Sequence, residues 1–506
     1  MSDPGAIPRR GRRARPEKGA APAYVTRAIP YYAFLDEDAL ERIERQAFWL
    51  LQDHGIEFRD APGALERWRI SGADVRDSRV RIPADMVRHL LSSAPAEFTQ
   101  VARNLARSVR IGGTAQVFAP VYGPPFVRDL EQGRRYGTLE DFQRLIKLTH
   151  QLAPLHHSGF VTCEPCDVPV SKRHLDMLLA HMTLTDKPHL GAITAKSRAE
   201  DSVAMARVLH GEEVFASSCV IMANVNTNSP MLVDKVVTDS AEVYSGSGQG
   251  LIVVPFILSG AMGPVTTAGA IAQALAEALS VGAYTQLVRP GAPFVLGNFL
   301  SSMNLRSGAP TFGMPEPLMS NLAIGQLARR LKLPLRCGGA LTASKLPDAQ
   351  AAYESADSML STVLGGANYV LHAAGWLEGG LVTGFEKLVL DADRLGAYEV
   401  VLRGFQTDDD TVGREAYNDV APGGHFLAAA HTLSHYTTAF YEAALSDSNS
   451  VEQWEEQGSR DAAQRAHERW KRLLAEYERP PIDPATLEAL NDFVNRRKSE
   501  LPDAWY

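Results

Sequence analysis

Positive charge and cysteine are both scarce in this sequence, and long apolar runs are missing. Among its 506 residues, 51 Lys and Arg stand against 59 Asp and Glu, a net charge of −8. Binding to nucleic-acid phosphates needs an excess of clustered cations, so a general nucleic-acid-binding protein is not expected. The few cysteines cannot form a disulfide framework and favour a reducing, cytoplasmic location; they are Cys163, Cys166, Cys219 and Cys337.

Segments for membrane insertion or export are not evident either. The most apolar stretch, 246–286, is interrupted by Gly, Pro, Ser and Thr, whereas a membrane span needs about 18 or more consecutive apolar residues. The N-terminus is polar and lacks the apolar region of a secretory signal. We therefore predict a protein with neither membrane nor nucleic-acid partners.

Signatures of several enzyme classes are also absent. The sequence contains no H-E-x-x-H zinc motif, no P-loop, no G-x-S-x-G motif and no kinase signature. Cys163 and Cys166 form a single C-x-x-C, and a structural zinc site needs further cysteines or histidines at matching spacing. The sequence therefore predicts no metal site.

The pattern along the chain divides it into four parts. Residues 1–24 carry six Arg and Lys among prolines and glycines and are predicted to be a disordered basic tail. Residues 25–110 are predicted to form a mainly helical N-terminal region, 111–410 a barrel, and 411–506 a C-terminal helical cap.

Eight short β-rich apolar runs alternate with helix-like segments through the central part. They lie at 115–120, 157–162, 189–194, 219–225, 251–259, 293–299, 334–338 and 369–374. This alternation predicts a TIM (β/α)8 barrel in the α/β class, with a doubly wound open sheet as the alternative. No G-x-G-x-x-G follows the first run, which weakens the dinucleotide-binding form of that alternative.

In a barrel of this kind, functional residues gather at the carboxyl ends of the strands. The residues at those ends are mainly aromatic rings and amides, with few charges. The candidates are Tyr122, Asn224, Asn226, Phe256, Phe299, Arg306, Phe312, Glu316, His372, Trp376 and Glu378.

These residue types suit the binding of a small cationic molecule better than hydrolysis. A quaternary ammonium group binds to the faces of aromatic rings, so four rings are predicted to form a cage: Phe256, Phe299, Phe312 and Trp376. Arg306 is predicted to hold a carboxylate of the same ligand. Tyr122 and Glu316 are further substrate-binding candidates, whereas His372, Asn224 and Asn226 are the catalytic or ligand-orienting candidates. Core roles for the rings and His372, and a surface ion pair for Arg306, remain alternatives.

Four segments resemble a known family. They are NSPMLVDK at 228–235, GAMGPVTTAGAIAQ at 260–273, GGALTASKLPDAQAAYES at 338–355 and the GGHFL…HT run at 423–432. They are similar to the trimethylamine methyltransferase family over about residues 30–480. The resemblance implies a TIM-barrel enzyme that moves a methyl group from a methylamine to the cobalt of a separate corrinoid protein.

The resemblance also bears on the substrate and on the cofactor. Archaeal trimethylamine members carry pyrrolysine, for which the equivalent position is expected near 337–346, but this chain has standard residues throughout. It therefore resembles the non-pyrrolysine branch, which includes glycine betaine:corrinoid methyltransferases. No D-x-H-x-x-G corrinoid-binding signature occurs, so we expect no tightly bound cofactor here and a corrinoid presented by a partner protein.

A quaternary amine leaves as a neutral tertiary amine without needing a proton, which matches a site without an evident general acid. The leading hypothesis is thus a methyltransferase acting on glycine betaine or a similar quaternary amine. The alternatives are a trimethylamine or other methylamine methyltransferase, a decarboxylase or lyase that uses Arg306 and His372, and a non-catalytic quaternary-ammonium-binding protein. The oligomeric state stays open, with a homo-oligomer among the alternatives.

Overall fold

The computed structural model describes residues 22–505, so the predicted basic tail at 1–24 lies almost wholly outside the described residues. The α-helices are α1 Glu37–Trp49, α2 Pro62–Ile70, α3 Ala84–Leu91, α4 Leu139–Gln151, α5 Arg173–Leu184, α6 Lys196–His210, α7 Glu212–Ser217, α8 Lys235–Gly246, α9 Thr267–Val288, α10 Pro315–Arg330, α11 Ala349–Gly365, α12 Phe385–Arg403, α13 Ala430–His435, α14 Val451–Glu456, α15 Ala462–Ala475 and α16 Pro484–Glu500. The strands are β1 Val25–Thr26, β2 Ile56–Phe58, β3 Asp74–Arg76, β4 Arg79–Arg81, β5 Glu97–Gln100, β6 Val109–Gly112, β7 Ala115–Phe118, β8 Phe126–Asp129, β9 Gly133–Tyr136, β10 Met222–Val225, β11 Leu232–Val233, β12 Gly250–Val253, β13 Phe256–Ser259, β14 Phe294–Gly297, β15 Phe299–Met303, β16 Pro310–Thr311, β17 Leu335–Gly338, β18 Tyr369–Leu371, β19 Trp376–Leu377 and β20 Val382–Gly384.

The central sheet is parallel and buried on both faces. Its strand order is β1-β7-β18-β17-β14-β12-β10, in which β1 is antiparallel to β7 and the other neighbours are parallel. Every residue of β7, β10, β12, β14, β17 and β18 is buried, as expected for parallel strands covered by helices. The α/β class predicted from the sequence is therefore confirmed.

Two of the eight predicted strands are not regular strands. The segments 157–162 and 189–194 are irregular apart from one parallel bridge between Leu190 and Met222. At the first of them, Gly159 has a φ of 72°, which is incompatible with an extended strand. The prediction of a strand at each position was therefore wrong.

Although irregular, these segments are connected to β7 and β10 by backbone hydrogen bonds. The N–H of His156 donates to the carbonyl of Phe118 at 2.9 Å, that of Leu190 to Gly159 at 2.9 Å, and that of Gly191 to Met222 at 2.8 Å. The backbone is thus linked from β7 through 156–159 and 190–191 to β10.

Two other predicted runs each divide into two strands. The run at 251–259 becomes β12 and β13, and the run at 293–299 becomes β14 and the start of β15. The second strand of each pair leaves the central sheet, and β13, β15 and β16 form a small separate sheet. In its parallel register Phe256 lies opposite Phe299, so this sheet brings two candidate site rings together.

The N-terminal region combines helices with short strands. Helices α1 and α3 pack on α9, whereas β2, β4 and β3 join β11 in a four-stranded sheet and β5 pairs with β6. A mainly helical region was predicted for 25–110, and these three- and four-residue strands were not anticipated. They are too short to produce an alternating pattern that can be read from the sequence.

The C-terminal helices lie on the outside of the molecule. Helix α15 packs against α12 and α4, and α16 packs against α5 and α6, so both cover outer helices. A C-terminal helical cap is predicted for 411–506, and α13 to α16 lie within this range. No helix among the described residues is long and apolar enough to cross a membrane.

Candidate active site

Four aromatic rings and one histidine meet beyond the carboxyl ends of the central strands. We call Phe256, Phe299, Phe312, Trp376 and His372 the aromatic cluster. Ring centroids are 5.2 Å apart for Phe256–Phe299, 6.0 Å for Phe299–Phe312 and 5.3 Å for Phe312–Trp376. The His372 ring stacks on Phe299 at 5.3 Å and meets Trp376 at 4.5 Å. The structure thus brings all four predicted cage rings into one group.

The ring of Trp376 is fixed by a hydrogen bond to the loop after β17. Its indole N–H donates to the carbonyl of Thr342 at 3.0 Å. Phe312 and Trp376 are buried, whereas Phe256 and Phe299 stay partly exposed. The cluster therefore has a rigid buried side and an accessible side made of the two phenylalanines from the small sheet.

A buried arginine lies directly beside this cluster. The side chain of Arg336, in β17, is only 1% exposed, and its guanidinium carbon is 5.2 Å from the ring centroid of Phe299. One Nη1–H donates to the carbonyl of Asn298 at 3.1 Å, while the buried Nε–H has no partner. Burial lowers the pKa of Arg336 to about 10, so the guanidinium stays charged at neutral pH.

Within residues 22–505, no carboxylate forms an ion pair with Arg336. A buried charge without a partner is costly and is normally paired in a folded protein. Arg336 is therefore suited to receive an anionic group from a ligand. Sequence analysis missed this residue, although a lone Arg within the buried run 334–338 was a signal that could have identified it.

His372 is a neutral hydrogen-bond donor. Burial holds the pKa of His372 well below its usual range, and the nearby charge of Arg336 lowers it further. The backbone N–H of Tyr122 donates to Nδ1 at 3.2 Å, so the neutral ring must carry its proton on Nε2. His372 also has a φ of 60°, an uncommon conformation for a residue with a side chain.

Tyr122 contributes to the same region through both its backbone and its phenol. Burial raises the pKa of Tyr122, the carboxylate of Glu164 raises it further, and Arg336 opposes the shift. The phenol is thus a neutral group near the buried guanidinium. Tyr122 joins Arg336 and His372 in the polar part of the candidate site.

Arg306, the predicted carboxylate-binding residue, lies elsewhere. It is exposed in the turn between β15 and β16, where its backbone N–H donates to Asn304 Oδ1 at 3.0 Å. An exposed guanidinium is solvated and free to move, so it is poorly suited to fix a small ligand. The buried position of Arg336 makes it the better candidate for this role.

Of the remaining predicted residues, two bind to other side chains of the protein and one is exposed to solvent. Glu316 accepts a hydrogen bond from Ser302 Oγ at 3.0 Å, and Glu378 forms a two-point ion pair with Arg134 at 2.9 and 3.2 Å. Asn226 is exposed. None of these contacts involves the aromatic cluster.

Asn224 is the exception among these polar candidates. It lies in β10, its side chain is buried, and its Oδ1 has no hydrogen-bond partner among the described residues. An unpartnered buried amide oxygen is available to a donor on a ligand or on a water molecule. Asn224 therefore remains a candidate.

Two buried glutamates hold the loops that contain the most recognisable sequence segments. Glu277 accepts hydrogen bonds from Thr227 Oγ1 and Ser229 Oγ at 2.6 Å and from the Met231 N–H at 2.8 Å. Glu354 accepts from Thr342 Oγ1 at 2.5 Å and from the Ala343 N–H at 2.8 Å. Both loops are therefore fixed by a buried carboxylate, and the second also provides the Thr342 carbonyl that accepts from Trp376.

Within residues 22–505, the C-x-x-C pair does not belong to a group of three or more potential metal ligands. Cys163 and Cys166 are free thiols, and burial raises the pKa of both, so they remain protonated at neutral pH. Cys163 is buried in the core, and the Cys166 thiol lies 3.7 Å from the carbonyl oxygen of Pro125.

Known proteins resemble this chain along nearly its whole length. A glycine betaine methyltransferase of Desulfitobacterium hafniense (strain Y51) is 36% identical over 474 residues, which span 94% of this chain and 98% of that protein. A proline betaine:corrinoid methyltransferase of Eubacterium limosum is 25% identical over 93% of this chain and 99% of its own length. A trimethylamine methyltransferase of Methanosarcina barkeri (strain Fusaro / DSM 804) is 26% identical over 91% of this chain and 94% of its own length.

A solved structure shares the fold at much lower identity. The monomethylamine methyltransferase of Methanosarcina barkeri superposes with a TM-score of 0.50 at 10% identity, covering 88% of each chain. The sequence profile described as Trimethylamine methyltransferase (MTTB) matches residues 5–502. This match confirms the resemblance inferred from the four sequence segments: the chain belongs to the trimethylamine methyltransferase (MTTB) family.

Proposed function

We propose that this protein moves a methyl group from a short carboxylated quaternary amine, glycine betaine or a close analogue, to the Co(I) of a separate corrinoid protein. The observation that carries the proposal is the buried, unpaired guanidinium of Arg336, 5.2 Å from the ring of Phe299. A cation-binding ring surface and an anion-binding group lie side by side.

The spacing suits a small zwitterion. In glycine betaine one methylene separates the nitrogen from the carboxyl carbon, so these atoms are about 2.5 Å apart. The trimethylammonium group would contact the partly exposed faces of Phe256 and Phe299, while the carboxylate would meet Arg336 and the Nε2–H of His372. A longer ligand would be held less well by groups that lie so close together.

The same arrangement disfavours trimethylamine. Trimethylammonium carries a positive charge without a carboxylate, and beside Arg336 it would bring two like charges together in a buried site. Only a ligand with its own anion neutralises the guanidinium. The relative named for glycine betaine, at 36% identity, points in the same direction.

The chemistry needs orientation more than acid or base catalysis. The bond between nitrogen and methyl carbon breaks, its electron pair stays on nitrogen, and dimethylglycine leaves with a neutral tertiary amine and its carboxylate still ionised. The methyl carbon forms its new bond with the electron pair of Co(I), which becomes methyl-Co(III). Because no proton moves, a permanently neutral His372 is compatible with this step, and its task is to hold the carboxylate.

We infer further that the central sheet closes into a (β/α)8 barrel. The hydrogen bonds of His156, Leu190 and Gly191, which link β7 to β10, support closure. In such a barrel the aromatic cluster lies at the end where catalytic sites form, and a corrinoid protein would dock there. The four free cysteines support a cytoplasmic location.

Methyl transfer to Co(I) cobalamin tests this function. We expect wild-type protein to form dimethylglycine from glycine betaine, detected by mass spectrometry, as Co(I) absorbance is lost. The R336M variant should form little product at the same betaine concentration, whereas R306M should match wild type. Faster formation of dimethylamine from trimethylamine than of dimethylglycine from betaine would contradict the proposal.

A further inference from the structure

The segment between α12 and α14 is ordered with almost no core of its own. We call residues 405–450 the C-terminal lobe. Its only buried residues are Ala416, Ala429 and Leu445. Large apolar side chains remain exposed, with Phe405 at 88% and Phe440 at 89%. A segment of this size that buries so little apolar surface needs another source of stability, such as a metal ion.

Three potential metal ligands converge within this lobe. His431 and His435 lie one turn apart on α13, so both rings project from the same face of the helix. Asp410 reaches them from an earlier turn of the lobe. One ligand atom from each of the three residues lies within 4.8 Å of the others.

The individual distances support a shared ligand site. His435 Nε2 lies 3.0 Å from Asp410 Oδ2, and His431 Nε2 lies 3.0 Å from the backbone oxygen of Asp410. In a tetrahedral zinc site with bonds of about 2.0 Å, neighbouring ligand atoms are about 3.3 Å apart. Small rotations of these side chains would therefore be enough to place all three around one ion.

The local charge is favourable as well. Asp408 lies near His435 but accepts hydrogen bonds from the Thr411 N–H at 2.8 Å and from Thr411 Oγ1 at 2.9 Å. It thus shapes the turn that presents Asp410 and adds negative charge close to the two imidazoles. This distinguishes the group from a pair of exposed histidines on an isolated helix.

We propose that Asp410, His431 and His435 bind a divalent transition-metal ion, Zn²⁺ being the best match to a ligand set of two imidazoles and one carboxylate. The ion would clip the turn at Asp410 to α13 and so hold the intervening chain, including the GGHFL segment at 423–427. Three protein ligands leave the fourth position to water. The proposal does not depend on methyl transfer.

Zinc binding to tag-free, full-length protein tests the proposal. After chelator treatment and desalting, the protein is titrated with Zn²⁺ against a chromophoric chelator. We expect one ion per chain in wild type and an affinity lower by about 100-fold or more in H431Q, H435Q and D410N, since even outer residues of zinc sites change affinity about 10- to 100-fold. The matched controls H425Q and D409N, which alter neighbouring residues outside the group, should bind as wild type does.

Limited proteolysis gives a second readout of the clip. Zn²⁺ should slow cleavage within 405–450 in wild type, H425Q and D409N, but not in H431Q. Absence of stoichiometric zinc, or equal affinity in H431Q and wild type, would overturn the proposal. Protection that needs no metal and grows with protein concentration would also overturn it, in favour of a second copy of this chain as the stabilising partner.

Discussion

Glu277 and Arg336 are both buried charged residues near the strand ends, but their surroundings differ. Glu277 accepts hydrogen bonds from Thr227, Ser229 and Met231 and one more from Gln273 Nε2 at 2.9 Å. Arg336 donates to a single carbonyl, and its Nε–H has no partner. The protein therefore provides the hydrogen-bond partners of Glu277 itself, whereas Arg336 is left available to a ligand.

This difference distinguishes residues that support the fold from residues that are available to a ligand. The loop at 227–231 belongs to one of the segments by which the family is recognised, yet its polar groups are satisfied internally. Arg336 lies just before another of these segments, 338–355, and its own Nε–H has no partner. The recognisable segment at 228–235 is thus satisfied within the protein, whereas the unpartnered polar atom that suits a ligand belongs to Arg336, which lies outside the segments.

The largest expected effect comes from removing the unpaired charge. We expect R336M to weaken glycine betaine binding by about 100-fold or more, because loss of a buried charge partner costs about 2–5 kcal/mol. The same variant should be as stable as wild type or more stable, since it replaces an unpaired buried charge by an apolar chain. Calorimetric titration and urea unfolding measure the two effects. Equal losses of affinity in R336M and in the exposed-residue control R306M would contradict the assignment.

The pH should have a large effect on the free energy of unfolding through buried histidines whose hydrogen-bond partners lie within the protein. Burial lowers the pKa of His181 to about 3 and that of His189 to about 4. Below pH 6.5 the unfolded chain binds protons that the folded chain does not, so stability is full above pH 7 and falls as the pH drops towards 4.

Each of these two histidines should contribute about 1.4 kcal/mol per pH unit within that window. The free energy of unfolding, measured in urea at pH 7.5 and 5.5, should therefore fall by about 3 kcal/mol from this pair alone. Stability that is equal at the two pH values would contradict the neutral state of these rings.

Replacing the carboxylate of Glu277 should lower the stability of the protein more than its affinity for glycine betaine. We expect E277Q to lower the free energy of unfolding by about 2 kcal/mol, because the amide nitrogen would face two of the four protein donors that the carboxylate accepts. The exposed-residue variant E213Q serves as the control. If E277Q lost betaine affinity without losing stability, Glu277 would belong to the site and the comparison with Arg336 would fail.

The smallest effect concerns a single ring. We expect F299L to weaken betaine binding by about 3- to 10-fold, because leucine keeps the apolar volume but removes the cation–π attraction. The analogue 3,3-dimethylbutanoate, which keeps the carboxylate but has a neutral tert-butyl group in place of the trimethylammonium group, should bind F299L and wild type alike. A parallel loss for both ligands in calorimetric titrations would show that Phe299 acts through shape alone.

The aromatic part of the site could be predicted from the sequence. Phe256 and Phe299 follow two adjacent buried runs, and parallel strands place such positions side by side, as the register of β13 and β15 confirms. Phe312 and Trp376 were expected at the same end of the sheet. Their contacts follow from topology, which apolar patterning predicts well.

The charged part could be predicted less well, because the lone Arg in the apolar run 334–338 was a weak signal for Arg336. Arg306 and Arg336 differ in burial, and that difference depends on whether a residue lies in a turn or inside a strand. The run 334–338 is too short for its pattern to show which face Arg336 occupies. The prediction of strands at 157–162 and 189–194 was wrong for a related reason. In the first segment, the backbone conformation at Gly159 outweighs the apolar composition of the surrounding residues.

The central claim is that a buried guanidinium beside aromatic rings selects a cation that carries its own carboxylate. Calorimetric titration of wild-type protein with glycine betaine and with choline, which has the same trimethylammonium group but a hydroxyl in place of the carboxylate, tests it most directly. We expect betaine to bind and choline to bind about 100-fold more weakly or not at all, the difference that loss of a buried charge pair predicts. Choline that binds as tightly as betaine would contradict the account.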